Sequence, residues 1–275
     1  MKTFFKIAGL TLLVAALAIS VFAAGGRQRD TEDVVRIGVF QPLTGANAAG
    51  GILELRGTQL AHELFPYVYV YGRRHRVELF INDNRSDRVE APLVMERMID
   101  SDRVHIVIGT WGSSMAIPAA EVAMIRQMNV IAPSATNPLV TRGNPWSFRV
   151  CFIDPFQGTV MANYAFTHLG ARTAVIVREI TNDYSVGLAQ FFVENFQRLG
   201  GRILATVDYS TGDTDFTAQL TALRAHNPDV VFAPGNFTES ALVIRQARDL
   251  GITQPFLGGD TWETDEFLKS WRRPC

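Results

Sequence analysis

Val104-His105-Ile106-Val107-Ile108 runs into Gly109-Thr110-Trp111-Gly112-Ser113-Ser114, and Val130-Ile131-Ala132 runs into Pro133-Ser134-Ala135-Thr136-Asn137-Pro138. Each is an apolar run of strand length that ends in small and hydroxyl residues. The first cluster opens a helix-periodic segment, Ser113–Gln127, so unpaired N–H groups and serine hydroxyls converge at the positive end of a helix. Such a place favours an anion. In open α/β sheets ligands sit outside the carboxyl ends of strands, where both loops fall. The function is therefore sought in a small anionic ligand group held at this edge.

The same alternation extends in both directions. Strand-like Val34–Phe40 precedes a glycine-rich turn and a helix from about Gly51 with Leu53, Leu60 and Leu64 on one face. Strand Val77–Ile81 is followed by a helix with Ala91, Val94, Met95, Met98 and Ile99 in one stripe. A break at Asn137–Pro155, rich in proline, separates this series from a second. The second runs from helix Pro155–Leu169 and strand Thr173–Val177 to strand Pro255–Leu257 and helix Thr264–Trp271. Strands alternating with amphipathic helices predict parallel sheets covered by helices, arranged as two α/β lobes. The expected boundaries are 34–150 for the first lobe and 151–275 for the second.

Ahead of the first strand, Lys2 and Lys6 precede an apolar stretch from Ile7 to Phe22 and a small-residue site ending at Ala23. That order is a secretory signal peptide over residues 1–23, cleaved after Ala23, with a polar lead-in at 24–33. The run is shorter than the ~20 residues of a membrane span, so the mature chain is expected to be exported, with no direct membrane insertion. Removing Lys2 and Lys6 leaves 24 basic residues against 27 acids, a formal charge of −3. That balance offers no footprint for nucleic acid. Lys269 is the only lysine left and no glycine-rich loop precedes it, which excludes a P-loop. The five histidines lack metal-ligand spacing, and no cofactor or metal is expected. Cys151 and Cys275 fit free thiols or one bridge in an oxidising compartment.

Four motifs, read together, resemble one family. They are Ile37-Gly38-Val39…Pro42-Leu43-Thr44-Gly45, Gly109 to Ser114 with Ile117-Pro118-Ala119, Pro133 to Pro138, and Ile244-Arg245-Gln246-Ala247-Arg248. This order is similar to that of the periplasmic leucine/isoleucine/valine-binding proteins, the substrate-binding components of ATP-driven importers. The resemblance covers about Val34 to Trp262. It implies an α/β, two-lobed type 1 periplasmic-binding-protein fold, each lobe a parallel sheet flanked by helices. It also implies a branched-chain or related amino acid, or its amide, as ligand and an ABC permease as partner. On that pattern Ser113 binds the ligand carboxylate with its hydroxyl. Ser134 supplies backbone contacts, with Ala135 beside it in the ligand-binding loop, and Thr136 a further hydroxyl. Asp260 takes the ammonium group and Tyr184 covers the ligand from the second lobe.

Two positions depart from the family pattern. Gly50 and Asn236 stand where aromatic residues usually flank the ligand side chain, and Trp111 is placed to refill part of that volume. The family also continues beyond the point where this sequence stops, so the expectation is a truncated or frameshifted product with an uncovered apolar sheet face.

Plainer readings stand beside these. Ser113 would simply cap its helix, Ser134–Asn137 form a turn, Asp260 open a helix, and Tyr184 and Trp111 pack. Asp213 and Asp215 mimic a catalytic carboxylate pair but suit a helix cap. A hydrolase of the α/β class is the enzyme alternative, yet no Gly-x-Ser-x-Gly elbow occurs. A sensor domain with the same ligand chemistry is the other alternative.

Overall fold

The computed structural model describes residues 33–271. The expected signal peptide, the lead-in up to Glu32 and Cys275, with any bridge it forms, lie outside the described residues. The first sheet comprises β1 (Val34–Gln41), β2 (Tyr67–Val70), β3 (Arg73–Asp83), β4 (Ile106–Ile108), β5 (Val130–Ala132) and β6 (Ser147–Arg149). Its order is β2-β3-β1-β4-β5-β6. Pairing is parallel throughout except at β2, which forms an antiparallel hairpin with β3. The sequence reading missed this hairpin and began β3 too late. The turn at Tyr71-Gly72, both in the left-handed region, closes it.

Helices α2 (Glu90–Asp100) and α3 (Ser113–Ile125) cover one face of this sheet. The predicted stripe Ala91, Val94, Met95 and Met98 packs on Phe40, Val107 and Val130, beside Met115, Ala119 and Ala123. Helix α1 (Ala48–Leu64) behaves differently from expectation. Its leucines are exposed, at 50% for Leu53, 55% for Leu60 and 65% for Leu64. The buried positions are Gly50 and Gly51. A Cβ on Gly51 would lie 2.2 Å from the Pro42 carbonyl oxygen, so the helix makes its close approach through glycine and its leucine stripe turns outward. An apolar groove of about 540 Å³ runs between α1 and the sheet, past Ile37, Leu79, Ile108 and Ile131.

The second sheet comprises β7 (Thr173–Glu179), β8 (Arg202–Tyr209), β9 (Val230–Phe232) and β10 (Phe256–Leu257), in the all-parallel order β10-β9-β7-β8. Its central strand is buried on both faces, which explains the unbroken apolar run Ala174–Val177. Ala174 and Ile176 meet Leu188, Phe192 and Phe196 of α5 (Asp183–Arg198) and the end of α4 (Asp154–Asn163). Val175 and Val177 meet Leu220 and Leu223 of α6 (Thr217–His226) and Val243 and Ala247 of α7 (Phe237–Asp249). A 3₁₀ turn, Asp260–Trp262, and helix α8 (Asp265–Trp271) follow β10.

The carboxyl ends of both sheets face one cleft, and the cleft is closed. Asp183, at the start of α5, donates its backbone N–H to Ser114 Oγ (2.8 Å) and accepts from Asn137 Nδ2 on its carbonyl (2.8 Å). Its carboxylate pairs with Arg88. On the other side of the cleft Asn236 Nδ2 donates to Asn47 Oδ1 (3.0 Å). Residues of the first sheet's loops thus hold residues of the second at two separate points.

Candidate ligand-binding site

Between the lobes lies a cavity of about 280 Å³ whose walls include Trp111, Ser113, Ser134, Thr136, Tyr184, Asn236 and Asp260. The structure therefore brings together seven of the eight residues expected at a site. Ala135 is the exception. Its side chain is buried with Ala116, Ala132 and Val140 beneath the loop. Cys151, Phe152, Thr261 and Glu263 also line the cavity and were not anticipated. They lie in connecting segments whose approach to the site depends on long-range packing.

At one pole stand three hydroxyls. Gly112, with φ at +89°, turns the chain from β4 into α3, and Ser113 is the first helical residue rather than a side-chain cap. Ser113 Oγ accepts the Asn137 backbone N–H (3.2 Å), which leaves its own proton to donate. The Ser134 hydroxyl is hydrogen-bonded to Glu54 of α1. Thr136 is 1% exposed, and its carbonyl accepts the backbone N–H of Asp154 (3.1 Å). The loop carrying these groups is clamped from behind by Arg149. Its Nη1 donates to the Ala135 carbonyl (2.9 Å), and its Nη2 to the Asn137 carbonyl (2.9 Å) and Thr141 Oγ1 (2.8 Å). One guanidinium thus satisfies acceptors that a tight loop leaves without strand partners.

At the opposite pole Asp260 Oδ1 accepts from Tyr184 Oη (2.8 Å) and from Gln157 Nε2 (3.2 Å), while the Asp260 backbone N–H donates to Gln157 Oε1 (2.7 Å). Burial pushes the Asp260 carboxyl above its ordinary range, and the bonds from Tyr184 and Gln157 pull it part of the way back. Tyr184 is raised well above its ordinary value by burial and by the same carboxylate. Its hydroxyl is therefore a dedicated donor that aims Asp260, beyond any role as a covering ring. The free edge of Asp260 is an acceptor for a cation.

The wall between the poles is made by Trp111. Its backbone N–H donates to Gln41 Oε1 (2.9 Å), and its ring meets Phe237 of the second lobe edge-on, with centroids 5.8 Å apart. The indole lies directly on Gly50: a Cβ there would fall 2.5 Å from Cε2 and Nε1. Only a residue without a side chain at position 50 leaves the indole this seat. Gly50→Ala is expected to displace the indole and to cost about 1–3 kcal/mol, the usual range for overpacking. Urea unfolding of the two proteins checks this, and equal midpoints would show that the ring moves freely. The Asn236 amide is committed to Asn47 across the cleft, so it braces the closed form while lining the cavity.

Asp213 and Asp215, the candidate carboxylate pair, do local work. Asp213 Oδ2 accepts the Ser210 N–H (2.8 Å) and Asp215 Oδ1 the Thr217 N–H (2.9 Å). Among the described residues no helix is long and apolar enough to cross a membrane.

Comparisons with known proteins show the family and the fold. Residues 34–267 match the family described as periplasmic binding protein. An amino acid binding protein of Pseudomonas aeruginosa is 32% identical over 252 residues, covering 91% of this chain and 67% of the relative. A leucine binding protein structure from Thermotoga maritima superposes with a TM-score of 0.83 at 40% identity, over 86% of this chain and 66% of that one. A branched-chain amino acid transporter substrate binding protein from Streptococcus pneumoniae, solved with isoleucine, superposes with a TM-score of 0.79 at 31% identity, over 87% and 68%. The chain spans about two thirds of the length of these relatives.

Proposed function

Because the chain belongs to the periplasmic binding protein family, a family of substrate-binding proteins with the two-lobed type 1 fold, we propose that it is an extracytoplasmic solute-binding protein that captures a branched-chain or related amino acid for an ABC importer. The observation that carries this reading is the bipolar cavity. Hydroxyl donors and the start of α3 stand at one end, and a buried carboxylate stands at the other. The ligand carboxylate meets Ser113 and Thr136, with Ser134 beside them, and the ammonium meets Asp260. Trp111, Phe152 and Asn236 surround the side chain. Closure then excludes water, strengthens both charged contacts and gives the permease a shape distinct from the open form. The relatives named above carry the same ligand class in their names, and the leader of residues 1–23 would deliver the mature protein to the periplasm.

Calorimetric titration with leucine, isoleucine and valine tests the reading, with 4-methylpentanoate and isoamylamine as ligands that each lack one charged end. The amino acids should bind, and each analogue should lose on the order of a hundredfold, since either one leaves a buried polar group unpaired. Equal affinity for leucine and isoamylamine would remove the anion pole from the scheme.

A further inference from the structure

Two of the hydroxyls at the anion pole are backed by buried carboxyl groups. Ser134 is hydrogen-bonded to Glu54 through Oε1, and Glu54 Oε2 is buried with no hydrogen-bond partner. Asp154 is 0% exposed, and neither of its carboxyl oxygens has a partner within hydrogen-bonding geometry. The side chains of Thr136 and Gln157 are the polar groups that approach it. A carboxyl group in such a place has two modes. When ionised it only accepts, so the hydroxyl beside it turns its proton inward and shows lone pairs to the cavity. When protonated it donates to the hydroxyl oxygen, and the hydroxyl proton is released toward the cavity.

Resting on the reading of this loop as the carboxylate pole, we propose that Glu54 and Asp154 are positioning residues that set its polarity. Each holds a proton: Glu54 donates its proton to Ser134, whose hydroxyl then presents its own proton to the ligand carboxylate, and Asp154, neutral near Thr136, puts no charge behind that anion. Loss of those protons reverses the Ser134 hydroxyl and adds negative charge behind an anion at both places.

The surroundings favour the protonated mode near neutral pH. Burial raises Glu54 to about 7, against opposing bonds from Ser134 and Gln41. Burial raises Asp154 to about 7 as well, with Asp260 adding to the rise while Thr136, Arg149 and Gln157 oppose it. The other titratable groups that face them are the Tyr184 phenol toward Asp154 and the Cys151 thiol toward Glu54. Both of these are raised, so both stay neutral across the range in which the two carboxyls titrate. Arg149 is the cation that bears on Asp154, and its guanidinium is committed to the loop carbonyls.

Affinity then responds to pH in two opposing ways. Asp260 must be ionised to hold the ammonium, so affinity rises with pH through its titration. Glu54 and Asp154 must be protonated to hold the carboxylate, so affinity falls above about pH 7, approaching tenfold per pH unit for each group.

The experiment is a leucine titration of the mature protein by calorimetry from pH 5.5 to 8.5, a span over which both charged groups of free leucine stay ionised. Wild type should show the falling limb and take up protons on binding at pH 7.5, read from buffers of different ionisation enthalpy. Glu54→Gln and Asp154→Asn carry a fixed amide donor, so each should reduce the falling slope of log affinity against pH, and the double variant should abolish it and leave only the rise that Asp260 gives. The readout is the slope, whatever the affinity level. A flat wild-type profile with intact binding, proton release at pH 7.5, or a double variant that keeps the wild-type slope overturns the inference and leaves the proposed function standing. Should the variants fail to fold, the wild-type proton uptake decides alone. Absence of leucine binding at every pH rejects the leucine reading itself, and this inference falls with it.

Discussion

Asp260→Asn is expected to weaken amino-acid binding by on the order of a hundredfold while leaving the fold intact. The substitution keeps the side-chain shape and the acceptor oxygen used by Tyr184 and Gln157. It removes only the charge, so a bound ammonium would be buried without a counter-ion. Truncating one partner of a buried charge pair costs about 2–5 kcal/mol, and a hundredfold, about 2.8 kcal/mol, lies in the lower half of that range. The unliganded protein should be no less stable than wild type, because burial already disfavours the Asp260 charge. The low-pH rise in affinity should disappear with the carboxyl group. Calorimetry across pH reads all three effects. Unchanged affinity would assign the ammonium to another group, and Glu263 is then the first to test because it lines the same cavity.

Arg149→Ala is expected to be the most damaging single change to the site that touches no ligand. It strips the clamp from Ala135, Asn137 and Thr141 together. Hydrogen bonds to a charged donor contribute about 1.5–3 kcal/mol each, and partial rehydration recovers some of that, so a net loss of about 3 kcal/mol is expected. For a chain of this size that is a fall in melting temperature of roughly 6–12 °C. The loop also carries Thr136, so ligand affinity should fall at least tenfold at temperatures where the variant remains folded. Arg149→Lys should recover less than half of the stability, since an ammonium cannot reach three acceptors in one plane. A variant that melts and binds like wild type would show that the loop holds its shape without the guanidinium.

Residues 137–155 mark how far the sequence can be read. Periodicity located the strand ends before Gly109 and Pro133, because period and composition are local properties of the chain. It also located the stripe of α2. The same reading took Asn137–Pro155 for a connector, yet this stretch holds Arg149, Cys151, Phe152 and Asp154, all of which clamp or adjoin the cavity. Nothing periodic announces a residue whose role is to reach loop carbonyls more than ten positions away. Glu54 was hidden for a related reason. Leucine spacing suggested which face of α1 is buried, whereas glycine contact sets how the helix sits and which side chains reach the loop of Ser134. The edge hairpin of β2 was obscured because arginine and histidine fill the inner strand. Tyr184 was read as a cover, and only the distance to Asp260 reveals its hydroxyl as the group that orients the acid.

The contacts of Asp183 with the first lobe have a genetic consequence. Two of the three run through its peptide group, to Ser114 and to Asn137, and only the third uses its own side chain. Selection at codon 183 therefore sees little of the clasp: almost any amino acid there preserves most of it. The alleles that spring the jaws open will map instead to Ser114 and Asn137, whose side chains reach across the gap and have no main-chain substitute.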